Sequence, residues 1–224
     1  MNESLDFLND KYSAFTPLDR IEEIFRDFDP EKILVTSSFG TSSVYLLSLL
    51  SKVRNTQKIY FIDTGYLFSE THEYKNSLQS IFGLNIVMLK PESIDHAFTE
   101  KHRIWETDPD FCCSVNKVSP LDKIKPAFDI WMTGRIAYQG SSRENLRIFD
   151  QEDILKFNPV LDVSKQEIRD FIRINQLPAH PLFKLGYGSV GCTHCTKPGG
   201  GRSGRWPGRA KTECGLHNSS NIQA

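Results

Sequence analysis

The chain lacks the roughly 20 consecutive apolar residues that a transmembrane helix needs. Its opening residues, MNESLDFLNDKYS, are too polar and acidic for a signal peptide. A strong net charge is also missing: the formal charge is −1, so no global field attracts nucleic acid. We therefore expect a cytoplasmic protein that has neither a membrane nor a nucleic acid as its partner.

Cysteine is scarce, and its five occurrences are unevenly placed. Cys112 and Cys113 are adjacent, Cys192 and Cys195 form a CxxC pair, and Cys214 stands alone in ECGLH. Cytoplasmic thiols stay reduced, so a CxxC pair there indicates metal binding or redox chemistry rather than a structural disulfide. The 224 residues, 39% of them hydrophobic and 25% charged, suit one large domain with an appended functional tail.

Short β-prone runs alternate with helical patterns along most of the chain. Such alternation predicts a doubly wound α/β fold with a mostly parallel sheet. The predicted strands cover residues 33–36, 59–62, 86–89 and 130–133, and helices at 44–53, 69–82 and 112–124 lie between them. We predict a nucleotide-binding α/β domain over residues 1–185. We expect residues 186–224 to form a mobile, glycine-rich C-terminal segment that closes the cysteine site and carries a catalytic tail.

Three polar loops follow predicted strands, namely SSFGTSS, DTG and GRIAYQGSSR. In doubly wound folds ligands bind at the carboxyl ends of the strands, and hydroxyls with free N–H groups at a helix start bind phosphate. SSFGTSS lacks the GK[ST] ending of a Walker loop, and taken alone it is also compatible with a plain strand-to-helix turn. A single arginine in these loops is likewise compatible with a solvated surface residue that binds no phosphate. The candidate binding residues are Ser37, Ser38, Phe39, Gly40, Asp63, Thr64, Gly65, Arg135, Gln139 and Arg143.

The two cysteine pairs supply four thiolates: Cys112, Cys113, Cys192 and Cys195. Buried inert cysteines, a zinc site and a regulatory dithiol are the alternatives to an iron–sulfur cluster. Adjacent cysteines chelate one small ion poorly, whereas the separate metal atoms of a 4Fe-4S cluster each accept one thiolate. The pattern therefore favours a 4Fe-4S cluster. Lys117 follows by one helical turn and would point toward it.

Cys214 is left over and lies in a basic tail. From residue 186 the tail has no acid before Glu213, and its five cations are Lys197, Arg202, Arg205, Arg209 and Lys211. Nearby cations raise the thiolate fraction of a cysteine, so Cys214 is a candidate nucleophile for an anionic substrate. The alternative is an exposed cysteine without a function.

Taken together, these motifs resemble the assimilatory sulfonucleotide reductases, which act on adenylyl sulfate (APS) or 3′-phosphoadenylyl sulfate (PAPS). The resemblance runs from about residue 33 to 217. It rests on SSFG, DTGYLFSETHEY, CCSVNKVSPL, GCTHCTKP, and GRW followed by KTECGLH. One departure is that Ile136 and Ala137 stand where many relatives carry two basic residues.

The resemblance implies an adenine nucleotide α-hydrolase-like fold and a two-step reaction. Cys214 would attack the sulfur of the sulfonucleotide and release AMP, and reduced thioredoxin would then release sulfite from the S-sulfocysteine. The two cysteine pairs would hold a 4Fe-4S cluster, which implies APS as substrate, with PAPS reduction or dual specificity as the alternative. Further candidates for the phosphosulfate or the cluster site are Lys117, Arg135, Gln139, Arg143, Arg205 and His217.

Two other classes remain open. A tRNA thiolase or another ATP pyrophosphatase of this superfamily needs an SGGxDS loop, whereas this chain has one glycine and no aspartate at 38–43. A zinc-stabilised regulatory module would leave Cys214 and the polar loops unexplained. Whether the chain forms homo-oligomers is open.

Overall fold

A six-stranded sheet forms the centre of the computed structural model, which describes residues 4–140 and 143–217. The strand order is β3-β2-β1-β4-β6-β5. Neighbouring strands are parallel except β5 and β6, which pair antiparallel. The strands are β1 (Ile33–Thr36), β2 (Lys58–Ile62), β3 (Asn85–Leu89), β4 (Ile130–Met132), β5 (Phe149–Gln151) and β6 (Leu155–Phe157). The predicted α/β class is therefore confirmed.

The hairpin of β5 and β6 is the part of the sheet that the sequence analysis does not contain. Each strand has three residues, and Asp150, Gln151 and Lys156 interrupt the apolar pattern that marks a strand. Tertiary pairing overrides this weak local preference, because β6 lies in register beside β4.

Nine helices surround the sheet in the described part of the chain, and four of them (α1, α2, α7 and α9) begin at a capping side chain. Thr16 and Ser164 each form a capping box, so that the side chain and the backbone at both helix starts are hydrogen-bonded. The bounds are α1 (Leu5–Ser13), α2 (Pro17–Asp27), α3 (Ser43–Arg54), α4 (Ser69–Phe82), α5 (Ser93–Lys101), α6 (Ile104–Thr107), α7 (Pro109–Cys113), α8 (Ser119–Asp122) and α9 (Lys165–Ile174). None of the helices in the described residues is long and apolar enough to cross a membrane.

The helix predicted at 112–124 is longer at its start and is interrupted. It comprises α7, a π-helical turn at Ser114–Val118, and α8. Pro120 has no N–H group for an intrahelical bond, and the wide turn lies directly before it. This segment brings both adjacent cysteines and Lys117 to one small cavity, which Cys192 and Cys195 also line.

Residues 186–217 are largely irregular, as predicted, with one short 3-10 helix at Thr193–Cys195, and they pack against the domain. Isolated bridges join Leu67 to Cys192, Tyr187 to Gly199, and Thr196 to Arg205. A Cβ at Gly204 would overlap the Lys197 carbonyl, so this crossing of the chain requires glycine. The division at residue 185 and the mobility of the tail stay predictions, and residues 218–224 of the predicted tail lie outside the described residues.

Candidate active site

A cleft of about 1210 Å³ opens at the carboxyl ends of β1, β2 and β4 and is closed on one side by the tail. Parallel strands ending at one edge place their following loops together, and this explains why residues distant in sequence meet there. The predicted residues that line it are Ser37, Ser38, Gly40, Thr64, Lys117, Arg135, Gln139, Arg143, Arg205, Cys214 and His217. The cleft therefore unites most of the predicted substrate-binding residues.

Three predicted residues do not line this cleft. The Phe39 side chain is fully buried and packs edge-on against Phe61, with ring centroids 5.3 Å apart. Asp63 instead accepts a hydrogen bond from the Gly65 backbone (3.1 Å) and lies 3.7 Å from His72. Gly65 has a positive φ of 75°, and a Cβ there would meet the His96 ring. These contacts lie outside the cleft, and the assignment of Phe39, Asp63 and Gly65 to substrate binding stays a prediction.

Arg135 reaches the cleft but is largely internal. Its guanidinium donates to the Asn158 side chain (3.0 Å) and faces Asp150 (3.4 Å) and Glu152 (3.9 Å). Burial lowers the pKa of Arg135, and the two carboxylates oppose that shift. These two acids offset part of the Arg135 charge, and its role in substrate binding stays a prediction.

Arg143 belongs to a hydrogen-bonded chain that crosses the cleft. It donates to the Gln139 amide oxygen (2.9 Å), and the Gln139 amide nitrogen donates to the Ser42 hydroxyl (3.1 Å). On its other side Arg143 donates to Glu213 (3.0 Å), which also accepts from Arg202 (2.9 Å). Ser141 and Ser142 of this predicted loop lie outside the described residues.

Arg202 is a cleft residue that the sequence analysis counts only as a tail cation. It donates to the Thr212 carbonyl (2.7 Å) as well as to Glu213, and burial lowers its pKa. The spacing of three residues between Arg202 and Arg205 is the only hint in the sequence that Arg202 belongs to the cleft. Since this spacing does not predict how the tail folds, only the structure shows the contact between Arg202 and Glu213.

The four paired cysteines come together although about 80 residues separate the pairs. All four are buried free thiols, packed with Tyr66 and Trp206. Burial raises the pKa of the Cys112 thiol to about 12 and that of Cys113 to about 11. The Cys112 and Cys113 thiols are therefore protonated at neutral pH, and binding a metal cluster would release their protons.

Hydrogen-bond donors and a cation surround these thiols. The Thr64 hydroxyl lies 3.4 Å from the Cys192 Sγ, and the Asn116 amide nitrogen lies 3.7 Å from the Cys112 Sγ. Burial alone would lower the pKa of Lys117, but the surrounding cysteines outweigh it and raise that pKa. The Trp206 indole N–H is buried and has no hydrogen-bond partner among the described residues.

Whether the four cysteines hold an iron–sulfur cluster stays a prediction. No three His, Cys, Asp or Glu side chains in residues 4–140 and 143–217 are arranged to hold one metal ion. Four thiols, surrounding donors and the unpartnered Trp206 N–H suit a group that carries several sulfur acceptors. The cavity between the cysteines measures only about 10 Å³, so the side chains must spread to admit a cluster.

Cys214 lies where the cleft and the cysteine site meet. It is half-buried, lines the cleft, and packs against the buried cysteine cluster. Arg205, also in the cleft, stacks on Trp206 (4.5 Å) and donates to the Val190 carbonyl (3.2 Å). Gly191 permits this position, because a Cβ there would overlap the Arg205 guanidinium.

His217 is the last described residue of the tail and also lines the cleft. Its ring stacks on Trp131 at 4.6 Å, and its carbonyl accepts a hydrogen bond from Lys156 (2.8 Å). Burial first, and then nearby cations such as Arg135, lower the pKa of His217 well below its ordinary value. The ring is therefore neutral at physiological pH, with a buried Nδ1 that has no hydrogen-bond partner among the described residues.

Comparison with known proteins decides the family. The model of the phosphoadenosine phosphosulfate reductase domain matches residues 32–198, which is most of the chain. The chain belongs to the phosphoadenosine phosphosulfate reductase family. It is thus a member of a family of oxidoreductases that includes the APS and PAPS reductases.

Relatives of this reductase cover nearly its whole length. A Mesorhizobium japonicum protein named adenosine 5′-phosphosulfate reductase is 37% identical to this chain over 215 residues, which cover 93% of this chain and 85% of the relative. In Bacillus subtilis the protein named adenosine 5′-phosphosulfate reductase 1 is 35% identical over 197 residues, 84% of each chain. The family identified from the motifs is therefore confirmed.

Solved structures agree with this fold. A phosphoadenylyl-sulfate (PAPS) reductase from Candida auris, in a phosphate complex, superposes on the reductase with a TM-score of 0.75 and 25% identity, covering 88% of this chain and 99% of the other. A Candida glabrata FMN adenylyltransferase, 17% identical, has a TM-score of 0.58 and covers 88% of this chain and 68% of its own. That second likeness concerns the fold alone, which is adenine nucleotide α-hydrolase-like.

Proposed function

We propose that this chain reduces APS to sulfite and AMP in sulfate assimilation, with Cys214 as the nucleophile and thioredoxin as the electron donor. The observation that carries the proposal is the position of Cys214, a half-buried thiol in a cleft that also contains Lys117, Arg202 and Arg205. A free thiol facing several cations suits attack on a substrate whose phosphate and sulfate oxygens would otherwise repel a thiolate.

In the first step the Cys214 thiolate attacks the sulfur of APS. A bond forms between the cysteine sulfur and that sulfur, and the bond from sulfur to the phosphate oxygen breaks. AMP leaves with the electron pair, and Cys214 becomes an S-sulfocysteine. Cations of the cleft, such as Lys117 and Arg143, lower the barrier by stabilising the charge that develops on the departing phosphate.

In the second step one thiolate of reduced thioredoxin attacks the Cys214 sulfur. Sulfite leaves with the electron pair of the broken sulfur–sulfur bond, and a mixed disulfide remains. The second thioredoxin thiol breaks this disulfide, so Cys214 returns as a thiol and thioredoxin is oxidised. The two electrons that reduce the sulfonyl group thus come from thioredoxin, and the proposal requires no electron from another group.

The nucleotide would lie along the loop between β1 and α3. Ser37, Ser38 and Gly40 line the cleft there, next to the start of a twelve-residue helix. Ser42, the residue before that helix, makes no side-chain capping bond. The dipole and the N–H groups of the first turn favour an anion at this end of the helix.

The proposal also assigns a 4Fe-4S cluster to Cys112, Cys113, Cys192 and Cys195, with Lys117 beside it. When bound, the cluster would supply positive iron atoms and a fixed scaffold next to the nucleophile. Lys117, which lines both the cleft and the cysteine site, would offset the charge of the thiolates. Iron and sulfide assays with visible absorbance on anaerobically purified protein separate a cluster from zinc.

The decisive experiment incubates the protein with labelled APS in the absence of thioredoxin. Mass spectrometry should find a sulfonate adduct on Cys214, and Cys214→Ser should carry none. A wild-type protein without the adduct, or the same adduct in the variant, would contradict the mechanism.

APS is favoured over PAPS because the chain carries both cysteine pairs and its curated relatives are named for APS. Competition between the two nucleotides during thioredoxin-dependent sulfite release should therefore favour APS. Equal or reversed preference would refute this choice of substrate and leave the Cys214 chemistry standing.

A further inference from the structure

The Glu213 carboxylate, next to the proposed nucleophile, lies between two arginines of the cleft. One oxygen accepts from Arg143 at 3.0 Å, and the other accepts from Arg202 at 2.9 Å and from Arg143 at 3.3 Å. All three side chains are mostly buried, with exposed fractions of 11% for Arg143, 21% for Arg202 and 24% for Glu213. Glu213 is also the first acid of the tail.

The arginines reach this carboxylate from separate parts of the chain. Arg143 follows β4 and is held by Gln139, which donates in turn to Ser42 before α3. Arg202 belongs to the tail and also donates to the Thr212 carbonyl. The Glu213 contact therefore joins the tail to the domain within the cleft.

The charge at this point is unbalanced. Two guanidinium groups face one carboxylate, so one positive charge remains (2 − 1 = +1). Arginine binds sulfate and phosphate oxygens through two parallel hydrogen bonds, and a group with three or more charged oxygens can serve both arginines at once. An external oxyanion thus matches the pair better than the single carboxylate does.

We propose that Glu213 is a positioning residue that occupies an oxyanion site formed by Arg143 and Arg202. An entering sulfate or phosphate group displaces it and thereby frees the segment that carries Cys214. The inference rests on the proposed function for the identity of the natural anion, while the exchange itself concerns the chain without its nucleotide. In the resting protein Glu213 holds the tail closed, and the anion that fills the site releases it.

Because an oxyanion replaces the Glu213 carboxylate between the two arginines, the segment that carries Cys214 is released only when an anion binds. Trp206 and His217 hold the two ends of the segment 206–217 against the domain, through the cysteine site and the Trp131 ring. Glu213 lies between these anchors, so breaking its two ion pairs loosens the intervening residues without detaching the ends. Cys214 can then adjust to the bound substrate.

The test is hydrogen exchange of the peptide over residues 202–217 in the purified protein, measured in sodium sulfate and in sodium chloride of equal ionic strength. This peptide contains the Arg205 and Arg209 amides, which donate to the Arg202 and Trp206 carbonyls. For wild type, sulfate should speed exchange about five- to tenfold over chloride, the size expected for losing partly exposed charged hydrogen bonds. Glu213→Gln should exchange fast in both salts. The matched control Glu92→Gln removes an exposed acid that pairs with Lys123 and should behave as wild type.

Two results would overturn the inference: equal exchange of wild type in sulfate and chloride, or a Glu213→Gln peptide as slow as that of wild type. If Glu213→Gln loses its fold by circular dichroism, Arg143→Gln provides the second variant. It leaves Glu213 in place and should release the same peptide. Because no sulfonucleotide is present, failure here leaves the Cys214 adduct experiment unaffected, and failure of that experiment leaves this one unaffected.

Discussion

His180 is a buried histidine whose neutrality makes the stability of this protein depend on pH. Its side chain has no exposed surface and lies at the turn that leads into the tail. The Leu182 backbone N–H donates to Nδ1 at 3.2 Å, so we assign the ring proton to Nε2, which lies 3.2 Å from the Thr71 hydroxyl. Protonation would place a charge among apolar neighbours and break the Leu182 bond.

The size of the effect follows from the shifted pKa. Burial lowers the pKa of His180 to about 4, from 6.5 in an unfolded chain. Between these values the unfolded state binds a proton that the folded state does not, so the free energy of unfolding falls as pH falls. Each pH unit is worth about 1.4 kcal/mol. Acidification from about pH 7.5 to about pH 5 should therefore cost roughly 2 kcal/mol through His180 alone.

The assay is urea unfolding of wild type and His180→Asn across this pH range. The asparagine oxygen can still accept from Leu182 but cannot titrate, so the variant should be less stable at neutral pH. Its disadvantage should shrink by about 2 kcal/mol on acidification, because other titrating groups cancel in the difference. The exposed His102→Asn is the matched control and should follow wild type. Parallel stability profiles for wild type and His180→Asn would refute the reasoning.

Three further predictions concern the fold and the cysteine site. Arg20→Met should lower the free energy of unfolding by about 2–3 kcal/mol in urea titrations. The reason is that Arg20 is buried and donates to Asp162 at 2.6 and 2.8 Å and to two backbone carbonyls. A loss below about 0.5 kcal/mol would contradict this prediction. Gly204→Ala should cost about 1–3 kcal/mol in thermal unfolding, since its Cβ would overlap a carbonyl, whereas Gly200→Ala meets nothing within 4 Å and should be neutral. Equal melting temperatures for these two variants would count against the tight crossing. Asn116→Ala should reduce iron per chain several-fold after anaerobic dialysis, because Asn116 is the donor nearest one predicted ligand; unchanged iron retention would show that this donor is dispensable.

The regular elements of the fold could be read from local pattern. The helix predicted at 69–82 has those bounds in the structure, as does the strand at 33–36. The strand is a short, continuous apolar run, and the helix has buried Tyr74 and Leu78 one turn apart and ends at Gly83. The β5–β6 hairpin has neither, because its short strands are stabilised by β4 rather than by their own composition.

The candidate site was also predictable only in part: the sequence indicates which loops meet at the cleft, but not which side chains enter it. Ser37, Gly40 and Thr64 line the cleft as predicted, because the rule that ligands bind at strand ends needs only the order of strands and loops. The rule does not say where each side chain points. Phe39 lies in the same loop, but its ring enters the core beside Phe61.

By itself, the sequence determined the chemical inventory: two cysteine pairs, one leftover Cys214, and a basic tail whose motifs identify the family. Only the tertiary structure decided which charges are available. Asp150 and Glu152 come from the unpredicted hairpin and offset Arg135, while Glu213 joins Arg143 to Arg202 inside the cleft. The physical reason is that chemical identity is local to a residue, whereas the charge that a substrate meets depends on partners brought together by folding.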